Sequence, residues 1–594
     1  FHDPLELTSK WQQNANARNV LPGKSKLPIR GGGVEIFPML LSRREWIGLT
    51  AGAALAGGLG FRSNASAASG AWKFAPEENL IPAPSDSGLW PEFRQRLFAW
   101  RESVRRDMQY SSALYERPEF SWATRNFACG FVMLNDELFC DVRAGRYHVA
   151  RFLAHARKEF GGFDSVVLWH AYPRIGLDAR NQFDFYREQP GGLQALREAV
   201  NQLHKAGVRV FLDYNPWDTH TRRETRADPV VMAELIAALD ADGVFLDTLD
   251  RGASEWRAAL DTVRPGVVLE SELALPLASV HDHHLSWAQW FPDSHVPGVL
   301  RNRWFERGHQ QHLIRRWDRD HTAELHSAWM NGAGILVWEN IFGTWNGWCD
   351  RDKTVLRSML PLQRRFAHLF SGEGWTPLVP TLQPDVYASL WEGMGLRLWT
   401  LVNRSESAVR GELFSASLRS GERVWDGVLG REAVTRRTGG VGQPRHGTAE
   451  VTIAGDLPPR GIGCFIAGRT EAVGAGFGGF LRQQREMMRR ANWNTRFPSR
   501  RVIVRKPSAS TAGRSSMRGM VEIPGGQIQL KTTFRVRECG FYDSTHPHFA
   551  TSFPSLHGPL IISRTVEVRP FAMDIYPVTN AQFAQFLSAT GYRP

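Results

Sequence analysis

From about residue 120 to residue 375, short apolar runs alternate with longer stretches in which apolar residues recur every three or four positions. Val166–Trp169 is one such run, bounded by Asp164 and followed by a loop holding Pro173, Gly176 and Asp178. LQALREAVNQLHKAG then sets Leu193, Leu196, Val200 and Leu203 on one helical face, and Gly207 supplies a stop. GVRVFLDYNPWD predicts a strand, PVVMAELIAALDADG a helix with Pro229 in its first turn, and GVFLDTLD another strand. SEWRAALDTVRPG reads as a helix capped by Ser254, and GVVLESE as the strand after it. LSWAQWFPD (285–293), a long polar helical region, GILVWEN (334–340) and the helix-like DKTVLRSMLPLQRRFAHLF complete the series.

Strands of four to six apolar residues joined by amphipathic helices mean a parallel sheet with helical crossovers, an α/β fold. Two closures are open: a (β/α)8 TIM barrel or an open doubly wound sheet. No glycine-rich phosphate loop follows any strand, which weakens the open, nucleotide-binding version. Polar residues gather at one strand end after another, and in a barrel those ends converge on a single mouth. The barrel is the expectation.

That mouth would carry His170 and Tyr172, then Asp213, Asn215, Trp217 and Asp218, then Asp247 with Asp250. Glu270 and Glu272 follow, then Asp293, then Trp338 with Glu339. Carboxyls crowded into one pocket repel one another, so their pKa values separate, as an acid and a nucleophile (or base) need for breaking a glycosidic bond. Tryptophan faces suit the C–H faces of sugar rings, and eight of the 22 Trp fall between Trp287 and Trp348. Asp247 stands out because apolar residues lead straight into it, while Glu270 and Glu272, two apart, face the same side of a strand. Asp164, Asp240 and Asp242 read as turn or cap residues. His281-Asp282-His283-His284 and the pair His309 and His312 lack the HExxH pattern and a Cys partner, so they read as surface or sugar-contacting residues. No residue is assigned to a metal, and no cofactor is expected.

Residues 385–468 change character to short alternating strands with turn signals, an antiparallel β-sandwich. The formal charge of +12 first suggests a nucleic-acid partner, but Leu481–Arg518 alone holds eleven Arg and Lys against one Glu, leaving +2 for the rest. With Pro498, Pro507 and the run SASTAGRSS, that stretch reads as a basic, flexible linker. Five scattered cysteines with no CxxC spacing argue against a disulfide framework. At the other end, Arg43-Arg44 precede a Gly/Ala-rich apolar stretch, Ile47–Phe61, and the small-residue site Ala65-Ser66-Ala67. This is the layout of a twin-arginine export signal, too short to span a membrane. Met39 is the expected start, and a periplasmic or extracellular location follows, with the twin-arginine export machinery as a partner.

WHAYPRIGLD, VFLDYNPWD, DGVFLDTLD and VVLESELALP together resemble bacterial glycoside hydrolases of the barrel superfamily that includes α-amylases, α-galactosidases and endo-α-N-acetylgalactosaminidases. In the α-amylase-like branch the nucleophile ends the fourth strand and the acid ends the fifth. The resemblance thus implies Asp247 as nucleophile and Glu272 (or Glu270) as acid. The α-galactosidase-like branch, with its acid at the end of the sixth strand, points to Asp293. MVEIPGGQIQL and FAMDIYPVTNAQFAQFLSATGYRP resemble the start of the formylglycine-generating sulfatase-modifying factor domain, with Asn580 expected to cap a helix bearing Phe583, Phe586 and Leu587. Cys539 occupies no matching motif there. The predicted layout is an upstream segment (1–38), signal (39–70), barrel (71–375), β-sandwich (376–468), linker (469–518) and a partial α+β formylglycine-generating-enzyme-like domain (519–594). Glycoside hydrolysis of a carbohydrate is the expected activity. The alternatives are a sulfatase-modifying oxidase or related metal-dependent enzyme acting through the C-terminal domain, and a non-catalytic carbohydrate-binding protein. Neither a specific nucleic-acid partner nor a stable membrane span is expected.

Overall fold

The computed structural model describes residues 72–170, 180–216, 224–289, 291–341, 344–437, 448–498, 519–535 and 559–591. These fall into two units: the stretch from 72 to 498 is one, and the described parts of 519–591 belong to the other.

Eight parallel strands close into a barrel and neighbour one another in chain order. They are β1 (Ala128–Met133), β2 (Ser165–Trp169), β3 (Arg209–Tyr214), β4 (Gly243–Leu246), β5 (Val268–Ser271), β6 (Leu285–Gln289), β7 (Gln310–Ile314) and β8 (Gly334–Val337). Helix α1 (Trp90–Asp107) precedes them, and α2 (Val149–Phe160), α3 (Gly192–Lys205), α4 (Asp228–Leu239) and α5 (Ser254–Val263) form the first four crossovers. α6 (Thr322–Asn331) links β7 to β8, and α7 (Asp350–Arg365) follows β8. Alternation along the strands explains why they read as continuous apolar runs. Phe131, Val167, Phe211, Phe245 and Trp287 fill the interior, while Val166, Leu168, Val210, Leu212 and Val244 belong to the core shared with the helices.

Two strands escaped the sequence pattern. Ala128–Met133 was not singled out, and Gln310–Ile314 lies inside the region expected to be a polar helix. Every residue of β7 is buried despite its Gln-Gln-His composition. Its polar groups are placed among other polar groups: Gln311 Nε2 donates to Ser286 Oγ at 3.3 Å, and His312 bonds Glu270.

Asp242 does more than cap a turn. Wholly buried before β4, it accepts hydrogen bonds from His204 Nε2 (2.7 Å), Arg209 Nη1 (2.8 Å), Val210 N (2.9 Å) and Arg264 Nη2 (2.9 Å). Burial alone would raise its pKa, but the bonds from His204, Val210 and Arg209 outweigh it and hold the carboxyl below its ordinary value. Its contribution to stability is therefore present above the unfolded Asp value of about 4 and is lost as pH falls through the lower folded value. Asp242→Ala is expected to cost about 3 kcal/mol at pH 7, with the gap narrowing in acid, as measured by urea unfolding across pH. The helix after it, α5, begins differently from expectation: Ala253 occupies the N-cap with no side-chain bond, and Ser254 is the first helical residue.

Beyond the barrel, two antiparallel sheets pack into the expected sandwich. The larger comprises β9 (Gly374–Val379), β10 (Val386–Gly393), β11 (Leu396–Asn403), β17 (Ile462–Gly468), β13 (Arg423–Asp426) and β14 (Arg431–Glu432), and the smaller β12 (Val409–Arg419), β16 (Thr448–Leu457) and β15 (Val434–Arg437). Trp399, Leu413, Phe414, Ile453 and Phe465 lie in the core between them. The sandwich is bonded to the barrel's α6: Trp329 Nε1 donates to Gly463 O at 3.0 Å and Ser389 Oγ to Met330 O at 2.8 Å. Between β6 and α6, in the short helical turn Arg301–Phe305, lies the wholly buried Arg303. Its guanidinium donates to four carbonyls, those of Arg307 (2.6 Å), His309 (2.8 Å), Gly332 (2.9 Å) and Phe370 (2.7 Å).

The start of the stretch read as a flexible linker is helical. α8 (Phe477–Arg489) buries Phe477 against Trp425, and Gln484 Nε2 donates to Ser358 O of α7 (3.1 Å) and to Gly427 O of the sandwich (3.2 Å). Gly430 makes this approach possible: its φ is +63°, and a Cβ there would meet Leu481 O at 2.1 Å. Three of the basic residues behind the charge excess, Arg482, Arg485 and Arg489, belong to this helix, and a fourth, Arg490, is its C-cap.

The second unit consists of antiparallel pairs, β18 (Met520–Ile523) with β21 (Phe571–Asp574) and β19 (Gly526–Arg535) with β20 (Pro559–Val568), and helix α9 (Asn580–Thr590). Thr579, not Asn580, caps α9, in a reciprocal capping box with Gln582. None of its described residues is buried, and Phe583 and Phe586 keep 46% exposure each.

Candidate active site

The end of β2 supplies Trp169 and His170, the end of β3 Asp213 and Asn215, and the positions just past β4 and β5 Asp247 and Glu272. These lie together at the carboxyl end of the barrel. Asp247 Oδ2 accepts from Asn215 Nδ2 (2.9 Å) and Trp169 Nε1 (3.4 Å). Glu272 accepts the Thr248 backbone N–H at 2.7 Å and Gln289 Nε2 at 3.3 Å, and lies 3.6 Å from Arg316 Nη1. The two carboxyls are neighbours in this pocket, and the charge of Glu272 bears on Asp247.

Backbone geometry prepares this contact. Thr248 has a φ of +63°, a left-handed conformation that costs a β-branched residue on the order of 1–3 kcal/mol, and that turn goes with an N–H directed at Glu272. Asn215 is held equally firmly: its N–H donates to Gln182 Oε1 (2.8 Å), and its carbonyl accepts from Gln182 Nε2 (2.7 Å). Asp213 N donates to Tyr186 Oη at 2.7 Å.

Burial dominates the electrostatics. Asp247 is pushed well above the usual carboxylate range by desolvation, then by the charges of Asp213 and Glu272. Asp213 is likewise raised by burial and by Glu272. His170, stacked on Phe185, is pulled down to about 3 by burial. His170 Nε2 lies 3.0 Å from Asp213 Oδ2, yet neither side chain makes a hydrogen bond of acceptable angle to a described residue. Burial works against the ionised form of both groups, so this contact gains little from charge attraction.

Folding therefore makes Asp213 bind a proton that the unfolded chain releases, so this residue lowers stability as pH rises above about 4. Asp213→Asn is expected to raise the melting temperature at pH 7 and to lose that advantage at pH 4, as read by calorimetry at the two pH values.

Other residues expected at the mouth sit elsewhere. Glu270 projects into the barrel interior, fully buried, its Oε1 2.5 Å from His312 Nδ1. Asp250 is half exposed beside Arg251, 3.3 Å away. Asp293 is buried in an ion pair with Arg404 (2.6 Å) from the end of the sandwich's β11 and accepts Gly298 N at 2.9 Å, so it joins the two layers. Trp338 packs inside the barrel on Phe131, ring centroids 4.2 Å apart, and Glu339 bonds His155 of α2 at 2.7 Å. Tyr172, Trp217 and Asp218 lie outside the described residues, as does Cys539. His283, His284, His309 and His312 are buried rather than at the surface; His281 alone of the singled-out histidines is exposed.

Sequence reasoning missed Trp169, Gln182, Thr248, Gln289 and Arg316. Trp169 was visible as the residue before His170, and Arg316 follows β7, the strand hidden by its polar composition.

Comparison with known proteins gives two separate results. Residues 505–594 match the family described as the sulfatase-modifying factor enzyme 1-like domain. Over 73 residues, 12% of this chain, the protein is 41% identical to the formylglycine-generating enzyme of Mycobacterium tuberculosis, and it spans only 17% of that enzyme's length. Among solved structures, similarity extends to an α-amylase from Geobacillus thermoleovorans complexed with acarbose, at 13% identity and a TM-score of 0.40, covering 59% of this chain and 99% of that one. A cyclomaltodextrinase is similar at 11% identity and a TM-score of 0.39, covering 59% of this chain and 79% of that one. A β-L-arabinopyranosidase from Geobacillus stearothermophilus, in complex with arabinose, follows at 13% and 0.36, covering 60% and 100%.

Proposed function

We propose that the barrel hydrolyses glycosidic bonds in a carbohydrate, using Asp247 and Glu272. The observation that carries this reading is a pair of buried carboxyls at the barrel mouth, close enough for the charge of one to act on the other and each held by its own donors. Two adjacent carboxyls cannot both ionise cheaply, so the pair retains one proton. In the resting molecule burial and the neighbouring charges place it on Asp247, while Thr248 N–H, Gln289 and Arg316 hold Glu272 in position. Transfer of that proton from Asp247 to Glu272 arms the pair in the sense the sequence resemblance implies. Glu272 then protonates the departing glycosidic oxygen as Asp247 attacks the anomeric carbon. A water deprotonated by Glu272 releases the sugar from Asp247 and restores both groups.

Retaining glycosidases hold their carboxyls about 5–5.5 Å apart and inverting ones about 6.5–9.5 Å apart, to admit a water. Attack by Asp247 followed by its displacement by water inverts the anomeric carbon twice, which predicts retention. Incubating the purified protein with a panel of α- and β-linked oligosaccharides, and following the anomer first released by NMR, tests both points. Hydrolysis with retention is expected; absence of turnover on every substrate, with binding preserved, favours a carbohydrate-binding protein.

Residues 39–70 are proposed as an export signal. Among the described residues no helix is long and apolar enough to cross a membrane. Arg43→Lys together with Arg44→Lys is expected to keep the protein inside the cell, which fractionation reads directly.

A further inference from the structure

Inside the barrel, one layer below Glu272, three side chains from strands distant in sequence meet: Cys129 of β1, Glu270 of β5 and His312 of β7. All three are fully buried, and one donor atom from each lies within 4.8 Å of the other two. We infer that Cys129, Glu270 and His312 bind a divalent metal ion of the zinc class.

The orientation of His312 is the first argument. Its Nε2 is 3.0 Å from the carbonyl oxygen of Asn126, an acceptor only, so Nε2 carries the hydrogen. That leaves the Nδ1 lone pair facing Glu270 Oε1 at 2.5 Å. A lone pair and a carboxylate oxygen repel at that distance unless a proton or a metal ion lies between them, and the donor atoms around the pair point to the metal ion. A metal-bound histidine has this same layout, with one nitrogen on the ion and the other anchored to a carbonyl.

The second argument is the unused valence of the cluster. Glu270 Oε2 is buried and has no hydrogen-bond partner, which is costly for a carboxylate unless something coordinates it. Cys129 Sγ, His312 Nδ1 and both oxygens of Glu270 supply four donor atoms. Sulfur with imidazole and carboxylate suits zinc, or cobalt in its place, and not calcium or magnesium. A dication also balances one thiolate and one carboxylate, leaving no net charge in a dry interior. Bond lengths of roughly 2.0–2.3 Å require donor atoms roughly 3.3–3.6 Å apart, so binding closes the wider gaps and opens the His312–Glu270 contact by about 1 Å. Space for the imidazole comes from Gly334, the β8 residue paired with His312, where a Cβ would stand 2.7 Å from His312 Cδ2.

This site does not depend on the glycosidase reading, and its test uses no activity. The full chain, produced in medium with zinc or with cobalt, is dialysed and its metal measured by mass spectrometry. About one ion per chain is expected, with a thiolate-to-cobalt charge-transfer band in the near ultraviolet for the cobalt form. Cys129→Ser should abolish the band, and His312→Gln should reduce bound metal at least tenfold. Sub-stoichiometric metal in the parent protein, or stoichiometric metal without a thiolate band, overturns the site and leaves a proton shared by His312 and Glu270. The parent measurement decides the question even where a variant fails to fold.

Discussion

Asp247→Asn is expected to reduce kcat/KM on a hydrolysed glycan by about 10³–10⁴-fold while leaving the fold intact. The amide keeps the shape of the carboxyl and can still bond Asn215, but it can neither attack an anomeric carbon nor pass a proton to Glu272. Because burial and the charges of Asp213 and Glu272 make an ionised Asp247 costly, the neutral amide should also leave the melting temperature at pH 7 unchanged or higher. Loss of activity with preserved stability separates a chemical role from a structural one. Azide separates the roles within the pair: with an activated leaving group it restores turnover when the nucleophile's carboxyl is missing, giving a glycosyl azide of inverted configuration. Glu272→Gln should instead keep substantial activity on such substrates and lose it on natural glycosides. Full activity of Asp247→Asn on a confirmed substrate would falsify the assignment.

The second large effect concerns Arg303. Arg303→Met is expected to destabilise the 72–498 unit by about 4 kcal/mol or more, measured by chemical unfolding. Replacing a buried ion pair by apolar residues is often neutral, because both partners are removed together. Arg303 differs: its partners are the backbone carbonyls of Arg307, His309, Gly332 and Phe370, which remain after any substitution. Methionine fills the volume and leaves four buried carbonyl acceptors without their donor. Arg303→Lys should recover only part of the loss, since one ammonium cannot span the planar fork of donors. Burial draws the guanidinium's pKa down to about 10, so it stays charged at neutral pH and its bonds remain charge-assisted there.

The barrel was legible because six of its eight strands are apolar runs between helical periods, and periodicity reports burial on two faces. β7 was not legible because Gln310, Gln311 and His312 are buried through hydrogen bonds and a carboxylate partner, which period-based reading counts as surface. The catalytic candidates followed from position: Asp213, Asn215, Asp247 and Glu272 each stand where an apolar run stops. The same rule proposed Asp293, which the structure gives to Arg404 instead. A carboxyl near the end of a strand looks the same in sequence whether it faces a substrate or an arginine 111 residues away. Thr248 was invisible for a related reason, since its part is played by a backbone N–H and a positive φ rather than by its side chain.

The helix Phe477–Arg489 bears on how this protein comes apart. Gln484 holds a carbonyl of α7 and a carbonyl of the sandwich with one amide, and Asp293 with Arg404 makes a second connection between the layers. Barrel and sandwich are therefore expected to melt as one cooperative body, in a single calorimetric peak. A protease or a stop codon that removes the chain after Gly468 takes away the clasp, not an appendage, and the barrel left behind should be found among the insoluble products of the cell.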